Sequence, residues 1–168
     1  SSFKPPDSKK EQAEEKTQNK EKNNCKINIE NIPKINNNGE KHGFGILTTP
    51  FYVRIGQWRY NQFTGWGRES RRNGEMLEGR FTNGRVNGKG IFLTVKGNKY
   101  VGDFVNNKLH GKGKLTTKHI QYSGEFKNNK MDGKGKMIFN NGHLYEGEFR
   151  DNEINGKGKF TWQNGDVY

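Results

Sequence analysis

A chain of 168 residues is long enough for one domain, but only 28% of its residues are hydrophobic, which excludes a thick core between two layers. The single cysteine excludes an internal disulfide framework, and no run of about 18 apolar residues predicts a membrane-spanning helix. The net charge of +12 favours anionic partners over cationic ones.

The first part of the chain, residues 1–38, predicts an extended and largely irregular arm. It is rich in Lys, Glu, Gln and Asn, so folding it would bury too little apolar surface to offset the loss of chain entropy. Little of the net charge lies here, because residues 1–51 carry 9 Lys and Arg against 7 Asp and Glu. Residues 52–168 carry 21 against 11, so the basic character belongs to the second part of the chain.

From residue 39 to residue 168 one phrase recurs: aromatic-x-Gly-x-aromatic, followed nine residues after its Gly by Gly-x-Gly. Five units start near residues 54, 77, 100, 122 and 145, a half-unit lies near residues 43–45, and a sixth unit is truncated at residue 168. The residues that define the repeat are Gly56, Trp58, Gly79, Phe81, Tyr100, Gly102, Phe104, Tyr122, Gly124, Phe126, Tyr145, Gly147 and Phe149. Spacings of 22 or 23 residues predict a stack of small structural units.

Each unit predicts a β-hairpin. In YVGDFV, which begins at residue 100, side chains two positions apart share a face, so Tyr100, Gly102 and Phe104 lie on one side of the strand. The next five residues, NNKLH, predict the turn, and GKGKLT predicts the returning strand. Further turns, with positive φ, are predicted at Gly74, Gly97, Gly142 and Gly165.

The Gly-x-Gly pairs leave bare backbone on which aromatic rings can lie, so few apolar residues suffice for a thin hydrophobic layer. We expect a side chain at one of these glycines, such as Gly133, to push a tyrosine ring off the backbone. A single hairpin is marginal in water, so neighbouring units must stack. The sequence therefore predicts an all-β fold made of successive hairpins.

The phrases YVGDFVNNKLHGKGKL, YSGEFKNNKMDGKGKM and YEGEFRDNEINGKGKF closely resemble the MORN (membrane occupation and recognition nexus) repeat. The resemblance covers residues 40–168 and implies an elongated, twisted antiparallel sheet that serves as a scaffold. Two units depart from the pattern, because Arg54 and Leu77 stand where Tyr is usual and Trp58 replaces Phe. Irregular packing is therefore expected at the N-terminal end of the array.

Lysines recur at two positions of the returning strand, and the candidate partner-binding residues are Lys89, Lys112, Lys114, Lys134, Lys136, Lys157 and Lys159. One interpretation is a cationic face for acidic protein tails, anionic lipid head groups or nucleic acid. The other is cross-strand pairing with Asp103, Glu125 and Glu148, which are expected on the same face. Two lysines for each acid leave charge unneutralised, so both interpretations stay open. Nucleic acid is the least favoured partner, because the regular aromatic residues lie on the opposite face.

No catalytic constellation, phosphate-binding loop or set of metal ligands stands out, so no enzyme activity, cofactor or metal site is expected. The function that the resemblance to MORN repeats implies is a non-catalytic, protein-binding scaffold in a cytoskeletal assembly of the cytoplasm, with a radial spoke or another axonemal complex of cilia as the leading instance. One alternative is a peripheral membrane module that binds anionic phospholipids, although the exposed apolar residues expected beside its lysines are not evident. The other, which the same resemblance implies, is a repeat extension of a larger lipid kinase or lysine methyltransferase.

Overall fold

The computed structural model describes residues 34–168 and confirms the all-β fold. Most of the predicted N-terminal arm lies outside the described residues. Twelve strands form one antiparallel sheet in chain order, each strand pairing with the one before it and the one after it. No helix occurs between residues 34 and 168. The strands are β1 (Lys34–Ile35), β2 (Lys41–Thr48), β3 (Tyr52–Arg59), β4 (Gln62–Arg71), β5 (Met76–Thr82), β6 (Arg85–Leu93), β7 (Lys99–Val105), β8 (Lys108–Thr116), β9 (Ile120–Lys127), β10 (Lys130–Phe139), β11 (Leu144–Arg150) and β12 (Glu153–Thr161).

The turn inside each unit is tighter than the sequence suggested. Asn106 and Asn107 alone connect β7 to β8, with φ of 50° and 67°, whereas a five-residue turn was predicted. That prediction was wrong because two consecutive left-handed residues make a type I′ turn, whose twist matches the strands on either side. The other units have the same two-residue turn at Tyr60 and Asn61, Asn83 and Gly84, Asn128 and Asn129, and Asp151 and Asn152.

The turns between units follow the prediction at four of the junctions. Gly74, Gly97, Gly142 and Gly165 have φ of 84°, 79°, 83° and 94°. The junction between β8 and β9 has no glycine and is shorter, because Thr117 Oγ1 accepts the backbone N–H groups of His119 and Ile120 at 3.1 Å each. This compact junction accounts for the single spacing of 22 residues.

The two faces of the sheet differ sharply. One face, here called the aromatic face, carries the rings and holds the core as a single layer. The buried apolar residues are Trp58, Phe63, Leu77, Phe81, Val86, Tyr100, Phe104, Tyr122, Phe126, Met131, Met137, Tyr145 and Phe149. The opposite face, here called the lysine face, carries the recurrent lysines and acids. The aromatic residues that define the repeat are therefore structural, and they lie away from the lysines.

The tyrosine rings lie directly on glycine backbone. A Cβ atom added at Gly135 would lie 2.5 Å from Cζ of Tyr122, and one added at Gly124 would meet the hydroxyl group of the same tyrosine. The Tyr122 hydroxyl donates a hydrogen bond to the backbone oxygen of Glu125 at 3.0 Å. The edge of the ring meets Phe126 of the same unit and Phe149 of the next, at centroid distances of 5.1 and 4.9 Å. Edge-to-face contacts of this kind join neighbouring units into one layer.

The first glycine of each Gly-x-Gly pair has a different role from the one predicted. Gly133 has a φ of 109° and lies in a β-bulge, where a Cβ atom would meet the Glu125 carboxylate and not a tyrosine ring. The expectation for Gly133 was therefore wrong. Only the second glycine, Gly135 in this unit, lies under a ring.

The first unit packs by other means where it departs from the repeat. In later units the buried tyrosine is opposite an apolar residue, as Tyr122 is opposite Met137. In the first unit Arg54 is opposite Glu69, and the two form an ion pair of 2.7 Å with side chains only 18% and 8% exposed. Phe63 from the returning strand takes the place of the tyrosine ring over the glycines. An internal ion pair thus replaces an apolar pair in this layer.

Candidate interaction surface

All seven candidate lysines are exposed on the lysine face, where the register arranges them in two rows across the sheet. Row one contains Lys89, Lys112, Lys134 and Lys157, and row two contains Lys114, Lys136 and Lys159. Successive lysines of a row are two strands apart, which corresponds to about 10 Å. The β-sheet thus holds these positive charges at regular intervals.

Acids lie between the lysines of row one, as the pairing interpretation requires. Asp103 is opposite Lys89, Glu125 is opposite Lys112 and Glu148 is opposite Lys134. Only two of the seven lysines form ion pairs within residues 34–168, Lys89 with Asp103 at 2.7 Å and Lys136 with Glu146 at 2.9 Å. The other five have no carboxylate within salt-bridge distance in that part of the chain.

The acids of row one have a second partner, which the sequence did not suggest. Each accepts the backbone N–H of the lysine on the following strand, at the β-bulge. Asp103 accepts from Lys112 at 3.1 Å, Glu125 from Lys134 at 3.1 Å and Glu148 from Lys157 at 3.3 Å. These acids are therefore tied to the backbone, and the lysine side chains extend from the bulges into solvent.

Ionisation at this surface follows from the same contacts. The hydrogen bond from the Lys89 ammonium group, aided by the Lys112 N–H, lowers the pKa of Asp103. The Lys136 ammonium group lowers the pKa of Glu146 in the same way. On the aromatic face, burial raises the pKa of Tyr122 to about 12, and burial together with the charge of Asp103 raises the pKa of Tyr100. At neutral pH Asp103 and Glu146 are therefore ionised, and Tyr100 and Tyr122 are neutral.

Row one continues into the first unit with different side chains. Trp66 stands at the position of the row-one lysines and lies opposite Arg80, which stands at the position of the acids. On the two preceding strands Phe44 is opposite Gln57. Trp66 is 61% exposed and Phe44 is 59% exposed.

Apolar side chains are therefore present beside the lysines, and the expectation that none would be found there was wrong. The tryptophan of GWG aligns with the lysine of each GKG, so the sequence contained the signal that could have placed Trp66 on the lysine face.

Among residues 34–168, no group of three or more His, Cys, Asp and Glu side chains is placed to hold a metal ion. That part of the chain also has no helix of the length and apolarity needed to cross a bilayer.

Comparison with known proteins identifies a family and a curated relative. The model of the MORN repeat matches six stretches, residues 37–50, 55–76, 78–99, 100–118, 122–144 and 145–167. Over 84 residues the chain is 33% identical to a Plasmodium falciparum (isolate 3D7) protein named "Inactive protein tyrosine kinase pTKL". That alignment covers 50% of this chain and 4% of the relative, so the chain spans only a small part of that protein's length. Because these six stretches together cover most of the chain, the chain belongs to the MORN repeat family.

Proposed function

We propose that this array is a non-catalytic scaffold that docks acidic segments of partner proteins on its lysine face. MORN repeats make the chain a protein-interaction or membrane-binding module. The observation that favours an acidic protein partner is the pair of lysine rows, in which five of seven side chains have no ion pair within residues 34–168. We place the scaffold in a cytoskeletal assembly of the cytoplasm, with an axonemal complex of the radial-spoke type as the leading instance.

The regularity of the rows supports this proposal more than the number of charges does. One exposed ion pair contributes about 0 to 1 kcal/mol, so no single lysine can determine a partner. Several weak contacts at fixed spacing reinforce each other, because after the first contact forms the others are made at a high effective concentration. A long acidic segment laid across the strands satisfies that geometry. Binding should therefore weaken steeply with salt.

The test uses a fluorescein-labelled polyglutamate peptide and the row-one triple variant, which combines Lys112→Ala, Lys134→Ala and Lys157→Ala. We expect at least a tenfold loss of affinity, together with a smaller dependence on salt. A control triple variant, Arg72→Ala, Lys96→Ala and Lys118→Ala, removes the same charge from the loops between units and should bind nearly as the wild type does. Equal losses in the two triple variants would show that net charge alone is responsible and would refute docking on the rows.

Anionic membrane is the second candidate, and the exposed Trp66 and Phe44 beside the lysines favour it. Peripheral binding to membranes combines cationic side chains with aromatic residues that enter the interface. Sedimentation with vesicles of phosphatidylcholine and a phosphoinositide, at physiological salt, separates the candidates. Binding of vesicles that is lost in the row-one triple variant would favour the membrane, and absence of binding at that salt would remove this candidate.

The third candidate is a repeat extension of a larger enzyme, either a lipid kinase or a lysine methyltransferase. The observation behind it is the similarity to a much longer protein whose name refers to a kinase. Sequencing the natural transcript on both sides of these residues tests it directly. A kinase or methyltransferase domain in the same reading frame would support it, and further repeats alone would support the scaffold.

A further inference from the structure

The bulges of the last three units show which chemical group this backbone binds. At each of them a carboxylate lies over the positive-φ glycine and accepts the N–H of the following lysine. The acids are Asp103, Glu125 and Glu148. We call this position the carboxylate slot. Because it is occupied in the same way three times, its preference for a carboxylate belongs to the bulge itself.

In the first two units no acid among residues 34–168 occupies the slot. The first unit has Gln57, whose neutral amide lies over Gly65. The second has Arg80, and the space beside Gly88, where φ is 83°, contains no other atom of the described residues within 4 Å of a Cβ position. Within residues 34–168 no side chain accepts the Lys89 backbone N–H, the equivalent of the N–H groups that the three acids bind. The slot of the second unit is thus open.

The surroundings of the open slot are cationic and aromatic. Exposed Trp66 lies directly opposite Arg80 on the neighbouring strand. A groove of about 480 Å³ begins at Arg80, next to the slot, and runs across three more strands to Phe44, and no carboxylate from residues 34–168 lines it. Two arginines in the groove, Arg59 and Arg80, have no ion pair within residues 34–168. The equivalent groove of the last two units is lined by Glu125, Asp132 and Glu148.

We propose that the open slot binds a glutamate or aspartate side chain from a partner protein, within a short acidic segment that also carries a large apolar residue. The carboxylate accepts the Lys89 N–H, as the chain's own acids accept the equivalent N–H groups in later units, and it also pairs with the Arg80 guanidinium group. The neighbouring apolar side chain packs on Trp66 and towards Phe44. This site rests on the proposed function and deepens it, because it gives the lysine face a defined end at which an acidic segment is anchored.

The discriminating variant is Arg80→Glu, because it supplies the residue type that later units have at this position. The new carboxylate is expected to occupy the slot, so thermal stability should be retained or raised while binding from outside is lost. The probe is a fluorescein-labelled peptide in which glutamates flank a single phenylalanine. We expect its Kd to rise at least tenfold in Arg80→Glu and in Trp66→Ala, since arginine and tryptophan commonly dominate interface energies.

Three controls separate this site from the lysine rows. Trp162→Ala removes an exposed tryptophan from the last loop and should leave the Kd within about twofold, as expected of a residue outside the interface. A peptide with glycine in place of phenylalanine should bind more weakly to the wild type but equally to Trp66→Ala. The row-one triple variant should retain the preference for phenylalanine even where its overall affinity falls.

Three outcomes would overturn the anchoring site. One is equal binding by the wild type and Arg80→Glu while the row-one triple variant loses affinity, which leaves the lysine rows as the docking surface without an anchor. Another is loss of the folded state in Arg80→Glu, because the slot would then not accept a carboxylate. The last is a blue shift of tryptophan fluorescence with anionic vesicles but not with the peptide, in a Trp162→Phe background where Trp66 is exposed and the remaining Trp58 is buried.

Discussion

Replacing Gly135 with alanine tests the packing of rings on bare backbone most directly. The added Cβ would lie 2.5 Å from Cζ of Tyr122, a ring that is fully buried, while φ at Gly135 is outside the left-handed region. The cost is therefore steric and not conformational. Overpacking a core typically costs about 1 to 3 kcal/mol, and loss of a buried aromatic ring costs about 3 to 5 kcal/mol. We expect Gly135→Ala to lower the free energy of unfolding by about 3 kcal/mol.

A double-mutant cycle with Tyr122→Leu isolates this contact, because leucine already occurs at the equivalent position, Leu77. Without the ring, Gly135→Ala should be neutral or stabilising by up to about 1 kcal/mol, since alanine reduces the entropy of the unfolded chain. Urea unfolding followed by circular dichroism measures all four proteins. Gly88→Ala serves as the control, because it meets no neighbour and should cost only the strain of its φ, about 1 kcal/mol. Additive effects of Gly135→Ala and Tyr122→Leu would refute the contact.

Three further predictions follow from the same layer and its turns. Asn107→Gly keeps the left-handed turn but removes the 2.7 Å hydrogen bond from the Val86 N–H to the Asn side chain, so thermal unfolding should reveal a loss of about 1 kcal/mol. The raised pKa of Tyr122 contributes stability that is complete below pH 10 and is lost as pH rises towards 12. In thermal unfolding measured over this pH interval, Tyr122→Phe should therefore lose less stability than the wild type. Arg54→Met should cost about 1 to 3 kcal/mol in urea unfolding, because the buried Glu69 carboxylate loses one partner and keeps its 2.9 Å ion pair with Arg71. Arg54→Tyr combined with Glu69→Leu should be neutral or stabilising, and a double variant less stable than Arg54→Met would contradict this.

The fold could be predicted because one phrase repeats at a nearly constant spacing. Two-residue periodicity identified the hairpins, and positive-φ glycines identified the turns between units, as the structure confirms at Gly74 and Gly142. The bounds of the inner turns were harder to predict. Asn106 and Asn107 complete a type I′ turn by themselves, so Lys108 and Leu109, which the prediction assigned to the turn, already belong to β8. The repeat pattern therefore identified the strands, and the conformation of the turn residues determined where the strands end.

The different roles of the two glycines in each Gly-x-Gly pair could not be predicted from the sequence, because glycine is required at both positions for different physical reasons. Gly135 is required because a ring lies on it, and Gly133 is required because its bulge has a left-handed φ. The asparagines had a similar hidden role. Asn129 donates its N–H to the Leu109 oxygen and accepts the Leu109 N–H on its side chain, so a turn residue also joins adjacent hairpins.

The departures from the repeat distinguish internal compensation from exposed recognition. Arg54 replaces a buried tyrosine, but its cross-strand neighbour is also changed, to Glu69, and the two satisfy each other inside the layer. Trp66 and Arg80 also depart from the repeat together, since Trp66 stands at a lysine position and Arg80 at an acid position. Arg80 lies opposite Trp66 but forms no ion pair within residues 34–168, and both side chains remain exposed. A paired change that is satisfied internally preserves the fold. A paired change that leaves an aromatic ring and a guanidinium group in solvent has no such structural effect, and this contrast supports the proposed anchoring site at Trp66 and Arg80.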